Sequence, residues 1–210
     1  MTADPTHRHD EFHRGYLPVD QFGLGTAAAG SAPVADAGGL NVYWLGVTRK
    51  LVQITSAVAI ANTETLVASV SLPATNMLVG TSFRIKAYGR LTSGATGGSS
   101  IFRCRIGTTT LTGNIPASLT IVNANNVTDA PFVLDILVTV RTVGASGTAI
   151  GNVSVFGGAT AAFTVAGDVS AISATVVVDT TATKLVQLTY ISGNAGTTAT
   201  FEDAVIEIMP

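Results

Sequence analysis

Phe132-Val133-Leu134-Asp135-Ile136-Leu137-Val138-Thr139-Val140-Arg141 is the stretch that decides the fold. Successive side chains of an extended backbone point to opposite faces. Phe132, Leu134, Ile136, Val138 and Val140 therefore share one face, and Asp135, Thr139 and Arg141 the other. That alternation marks a half-buried strand. Working outward, Phe83, Ile85 and Ala87 stand opposite Arg84, Lys86 and Tyr88, and Phe102, Cys104 and Ile106 stand opposite Arg103 and Arg105. Further strands are expected at 50–54, 64–72, 148–156, 175–179, 184–191 and 200–208. Between them lie turn-forming clusters: Thr92-Ser93-Gly94, Gly97-Gly98-Ser99, Gly144-Ala145-Ser146-Gly147, Gly157-Gly158 and Ser192-Gly193-Asn194-Ala195-Gly196. Thirty threonines add to the strand signal. Residues 117–126 fit no template well, and no stretch combines a 3.6-residue apolar period with helix caps. No fixed repeat period is present. The pattern is all-β, two packed sheets forming a β-sandwich.

Composition narrows the function. Of 210 residues, 47% are hydrophobic and only 11% charged, with eleven Lys and Arg against thirteen Asp and Glu. Soluble domains carry about 25% charged residues. A net charge of -2 argues against a broadly basic nucleic-acid binder. The most apolar window, 51–61, is interrupted by Gln53, Thr55 and Ser56 and is too short to span a bilayer, so no membrane partner is expected. Strand faces this poor in Lys and Glu have little protection against unwanted pairing. Burial between copies removes that exposure, and a closed homo-oligomer, most simply a trimer, is expected.

Residues 1–39 differ in character from the rest of the chain. They hold all three histidines and a run of Gly, Ala, Ser and Pro, and read as an extended Gly/Ala-rich anchoring arm without a core of its own. No signal-peptide pattern opens it. Tyr16, Leu17 and Phe22 are its candidate docking residues, joined by Tyr43 and Trp44 where the sandwich domain, 40–210, begins. The arm is expected to order on a neighbour, so deleting it should leave the sandwich folded and abolish docking.

Catalytic chemistry finds few residues to work with. His7, His9 and His13 have a spacing that can hold Zn²⁺ or Ni²⁺, but they precede a Gly-rich segment that offers no supporting shell. A solvated polar tail is the reading adopted. Residues 40–210 contain no histidine, which removes the usual base of a Ser or Cys nucleophile. Cys104, the single cysteine, cannot form an internal disulfide, and its alternation with Phe102 and Ile106 makes it a core residue. Glu202 and Asp203 face opposite ways on a strand, while Asp203 and Glu207 share a face near the C-terminal edge. No glycine cluster ends in the Lys-Ser or Lys-Thr of a phosphate loop. Neither an enzyme nor a cofactor is expected. Arg84, Lys86, Arg90, Arg103 and Arg105 form the one basic concentration, assigned to the polar faces of two neighbouring strands. Such runs usually mark a solvated face; contact with an acidic partner or an anionic glycan is the alternative.

Leu66-Val67-Ala68-Ser69-Val70-Ser71-Leu72-Pro73-Ala74 and Gly80-Thr81-Ser82-Phe83-Arg84-Ile85-Lys86-Ala87-Tyr88-Gly89, with Phe102-Arg103-Cys104-Arg105-Ile106-Gly107-Thr108-Thr109-Thr110-Leu111 and Thr139-Val140-Arg141-Thr142-Val143-Gly144, resemble jelly-roll proteins of tailed-bacteriophage virions. The resemblance spans about residues 60–210 and lies in strand-and-turn pattern, so it carries over no functional residue. It implies a jelly-roll sandwich and a trimeric structural module of capsid decoration, head-fibre or tail type. Such a module is assembled in the host cytoplasm and held in the virion by the major capsid protein or other virion components. The expected function is decoration or cementing of the capsid exterior with the arm as anchor. The alternative is a tail or fibre receptor-binding module, whose loops near 94–99, 144–147 or 192–196 contact a host surface glycan. Aromatic residues make up only 6% of the chain, and sugar sites usually stack on rings, which favours the first.

Overall fold

The computed structural model describes residues 32–35, 42–45, 49–54, 58–60, 62–157, 162–164 and 168–209. The chain forms two compact units, Met1–Val47 and Thr48–Pro210. In the first, β1 (Ala32–Ala35) pairs antiparallel with β2 (Val42–Leu45), setting Pro33 opposite Trp44 and Val34 opposite Tyr43. His7, His9, His13, Tyr16, Leu17 and Phe22 lie outside the described residues.

Among the described residues the second unit is all β apart from a 3-10 turn at Ala74–Asn76. Its strands are β3 (Arg49–Ile54), β4 (Val58–Ile60), β5 (Thr65–Leu72), β6 (Ser82–Thr92), β7 (Ser99–Gly107), β8 (Asn114–Val122), β9 (Ala130–Thr142), β10 (Thr148–Gly157), β11 (Asp168–Ile172), β12 (Val176–Val177), β13 (Lys184–Ser192) and β14 (Thr198–Met209). The larger sheet runs β11-β10-β9-β6-β14-β3, with β4 also on β14 and β12 also on β10; the smaller runs β5-β13-β7-β8. Every pairing is antiparallel. With β10 to β12 set aside as an insertion and β4 as a continuation of the β3 edge, eight strands remain. Numbered along the chain, they stand 6-3-8-1 in one sheet and 2-7-4-5 in the other. This is the jelly-roll winding, in which the first strand pairs with the last.

The alternation seen in the sequence drives the packing. Phe83, Ile85, Phe102, Cys104, Phe132, Leu134, Ile136 and Val138 are all buried between the sheets. At the centre, Phe102 meets Phe132 at 5.6 Å and Tyr190 at 5.3 Å between ring centroids, and Phe201 stands edge-on to Phe132 at 5.3 Å. Such pairs contribute about 0.5–1.5 kcal/mol each beyond area burial. Tyr190 brings one polar atom into this cluster, and its hydroxyl is satisfied by Ser100 Oγ at 2.7 Å, which donates in turn to Asn123 Oδ1 at 2.7 Å.

Two differences from the sequence reading stand out. β8 occupies much of the stretch that fitted no template, and the strand expected at 175–179 shrinks to Val176–Val177. The strands' common axis also gives the unit two distinct ends. One carries the connections 93–98, 123–129 and 193–197; the other carries 73–81, 108–113, 143–147 and 173–183 together with Arg49 and Met209, the outer ends of β3 and β14.

Candidate functional site

The outward face of the larger sheet gathers more exposed apolar side chains than any other sheet surface among the described residues. Antiparallel register aligns side chains of neighbouring strands about 4.8 Å apart into rows across the sheet. One row reads Asp203, Tyr88, Val133, Phe156 across β14, β6, β9 and β10. The next reads Val205, Lys86, Asp135, Ser154, and the third Glu207, Arg84, Leu137, Asn152, continuing to Ile172 on β11. Tyr88 and Val133 are each 51% exposed and Leu137 41%. Two shallow concavities meet at Tyr88 and Val133: one of about 570 Å³ bordered by Lys50, Lys86, Phe156 and Glu207, and one of about 500 Å³ bordered by Arg90, Pro131 and Glu202.

Charge on this face cancels locally. Arg84 donates both Nε (3.0 Å to Oδ1) and Nη2 to Asp135, diagonally across β6 and β9. This bidentate fork holds the guanidinium above its ordinary pKa. Arg90 pairs with Glu202 at 3.5 Å. Gln53 Nε2 donates to Asp203 at 3.0 Å, and Gln53 Oε1 accepts from Lys50 Nζ at 2.6 Å. Within these rows three cations, Lys50, Arg84 and Lys86, stand with three carboxylates, Asp135, Asp203 and Glu207, and Arg141 is exposed on the same face further along β9. The result is a surface on which apolar and charged side chains are interleaved, most of the charges having an opposite one nearby.

Arg103 and Arg105 do not belong to this surface, contrary to the expectation of two neighbouring strands. β6 and β7 are consecutive in sequence, but the chain crosses between sheets at 93–98, so the two basic sets sit on opposite outer faces. On the smaller sheet, Glu64 accepts from Arg105 Nε at 2.7 Å and Nη2 at 2.8 Å, from Arg103 Nη1 at 3.1 Å and from Thr189 Oγ1 at 2.8 Å. Led by the Arg105 hydrogen bonds and opposed by burial, these contacts hold the Glu64 carboxyl at about 2. Four of the five basic residues named from sequence therefore have carboxylate partners within this chain. Lys86 has none within ion-pair distance among the described residues.

The remaining candidates do not converge on chemistry. Cys104 is fully buried, and burial pushes its thiol up to about 12. Asp203 and Glu207 share the outer face, but β14 lies inside the sheet between β6 and β3, not at its edge. Four residues of strand hold them about 13 Å apart, beyond the roughly 5–9.5 Å of a glycoside-hydrolysing pair. Of the three loops considered for glycan contact, 93–98 and 193–197 lie together, Gly94 N donating to Gly196 O at 3.1 Å. The loop 144–147 is at the opposite end, bound to Thr180. At that end side-chain amides and hydroxyls are used internally: Asn194 Nδ2 donates to Thr96 at 2.6 and 2.8 Å, Asn125 Oδ1 of the neighbouring 123–129 connection accepts from Gly97 N at 2.8 Å, and Thr197 Oγ1 donates to Gly97 O at 2.6 Å. Among the described residues, no three His, Cys, Asp or Glu side chains are grouped to hold a metal ion.

No family model matches this chain, and no curated protein matches it. Solved structures give low-scoring likenesses. The CBM2 module of the Lactobacillus casei BL23 phage J-1 evolved Dit is similar at 11% identity and a TM-score of 0.31, over 66% of this chain and 67% of that one. The infectious bursal disease virus Gt strain is similar at 10% identity and a TM-score of 0.26, over 85% of this chain and 46% of that one. The VP2 subviral particle of the same virus gives 11% identity and a TM-score of 0.24, again over 85% and 46%. This chain spans under half the length of those two viral chains.

Proposed function

We propose that this protein is a non-enzymatic structural component of a tailed-bacteriophage virion, decorating or cementing the capsid exterior as a homotrimer anchored by its N-terminal arm. One observation carries the reading. The larger sheet leaves Tyr88, Val133, Leu137, Phe156 and Ile172 in solvent among charges of both signs, the surface an assembling subunit covers against its own kind. The jelly-roll winding and the strand-and-turn resemblance to phage virion proteins support the virion assignment. Light scattering on the full-length chain at micromolar concentration tests the assembly. A mass of about 64 kDa is expected, three times the 21.3 kDa of one chain, and a monomer mass overturns it. Stoichiometric presence of the chain in purified particles tests the location.

A further inference from the structure

The two ends of the sandwich differ in chemistry as well as in connectivity. At the end formed by 73–81, 108–113, 143–147 and 173–183, Leu78 is 60% exposed, Val79 64%, Val143 49% and Val177 54%, with Leu111 beside them. These loops are tied into one surface. Gly80 N donates to Val140 O at 2.9 Å, Thr180 N to Gly144 O at 3.0 Å, Val178 N to Gly147 O at 2.7 Å, and Asn114 Nδ2 to Val177 O. Their sequences contain one charged residue, Asp179, and Lys184 neutralises it at 2.9 Å. The loops themselves contain no Lys, Arg or aromatic residue; Arg49 and the exposed Arg141 stand at the strand ends beside them. Towards the opposite end, the described residues expose only Val122 in the end itself and Phe156 near the end of β10 as large apolar side chains.

The chain's course singles out the apolar end a second time. Arg49, the first residue of β3, pairs with Ile208 there, so the chain enters the first strand of the sandwich from this end. From these two observations, and resting on the virion reading, we infer that this end is the base, seated on an uncharged, apolar protein surface of the particle. The amide- and hydroxyl-rich loops then point outward. A lipid surface fits poorly, since interfacial binding draws on aromatic anchors that these loops lack. Nucleic acid fits poorly, since phosphate binding draws on many cations and the loops themselves offer none.

Thiol labelling tests the assignment, because the native Cys104 is fully buried and leaves the wild-type chain silent to maleimide. Leu78→Cys and Val143→Cys report on the base; Thr128→Cys and Ala195→Cys, both at exposed positions, report on the far end. In the free full-length protein all four should label freely and at one thiol per chain, the single label showing that the variants fold around a protected Cys104. In purified particles the two base positions should label at least tenfold more slowly, while positions 128 and 195 stay within twofold of their free rates. Equal labelling at the base in particles overturns the proposal. So does protection of the base in the free protein, which would mean that another part of the chain or a second copy covers it. Flotation of the free chain with phosphatidylcholine vesicles would reassign the base to membrane. Absence of the chain from particles removes the virion reading and the proposal together, whereas presence with an open base removes the proposal alone.

Discussion

Glu64 organises the outer face of the smaller sheet from a position just before β5, accepting four hydrogen bonds from Arg103, Arg105 and Thr189. Its folded pKa, about 2 against an ordinary 4.5, fixes the sign of its linkage to pH. A carboxylate depressed on folding contributes stability that is present above its unfolded pKa and lost as pH falls through the folded one. Glu64→Gln should therefore destabilise the protein at pH 7 by about 1–3 kcal/mol, the scale of hydrogen bonds to a charged group. The gap in melting temperature from wild type should narrow as pH falls from 4.5 towards 2. A gap that stays constant across that range would show that packing, not charge, holds the network. The carboxylate's role is not legible in the sequence, because the arginines' partner lies about forty residues upstream and only the pairing of β5, β13 and β7 brings them together.

At the scale of the element, β6 shows what the alternating pattern can and cannot convey. Its inward and outward residues are readable because hydrophobic period and burial coincide along the strand. Gly89 is not: it looks like strand-breaking punctuation, yet it lies inside the strand opposite Phe132 and Phe201, beside the bulge on β14. A Cβ there would stand 2.2 Å from Thr200 O and 3.0 Å from the Phe132 ring. Because the nearer atom is backbone, relief requires β6 and β14 to separate. Gly89→Ala should thus cost about 1–3 kcal/mol, the overpacking range, measured as a lower midpoint in urea at unchanged slope. A neutral outcome would mean that the bulge absorbs the methyl. β8 escapes the alternating pattern for a related reason. Pro116 within Asn114-Ile115-Pro116-Ala117 argues against a strand, but β8 is an edge strand, and its register slips opposite Arg105, where Pro116 falls. Proline is tolerated at such an edge irregularity because it forfeits no regular ladder bond.

For the whole molecule, a period of two distinguishes inside from outside but does not say which sheet a strand joins, which is why alternation alone puts Arg84 and Arg103 together. The winding settles that, and it leaves one broad face on which apolar side chains and charged ones share the rows. Either could hold copies together, and ionic strength separates them: the Debye length falls from about 10 Å at 0.1 M to about 3 Å at 1 M salt. An assembly held by the apolar side chains should keep its mass at 1 M NaCl. Tyr88→Lys with Leu137→Glu is the complementary probe. Register places each new charge beside an existing opposite one, Asp203 for the lysine and Arg84 for the glutamate. Both positions are exposed in the single chain, so its stability should change by no more than about 0.5 kcal/mol. Burying those charges between subunits would cost far more. The double variant should therefore melt cooperatively yet scatter light as a single 21.3 kDa chain. An unchanged oligomer mass would place the subunit contact elsewhere.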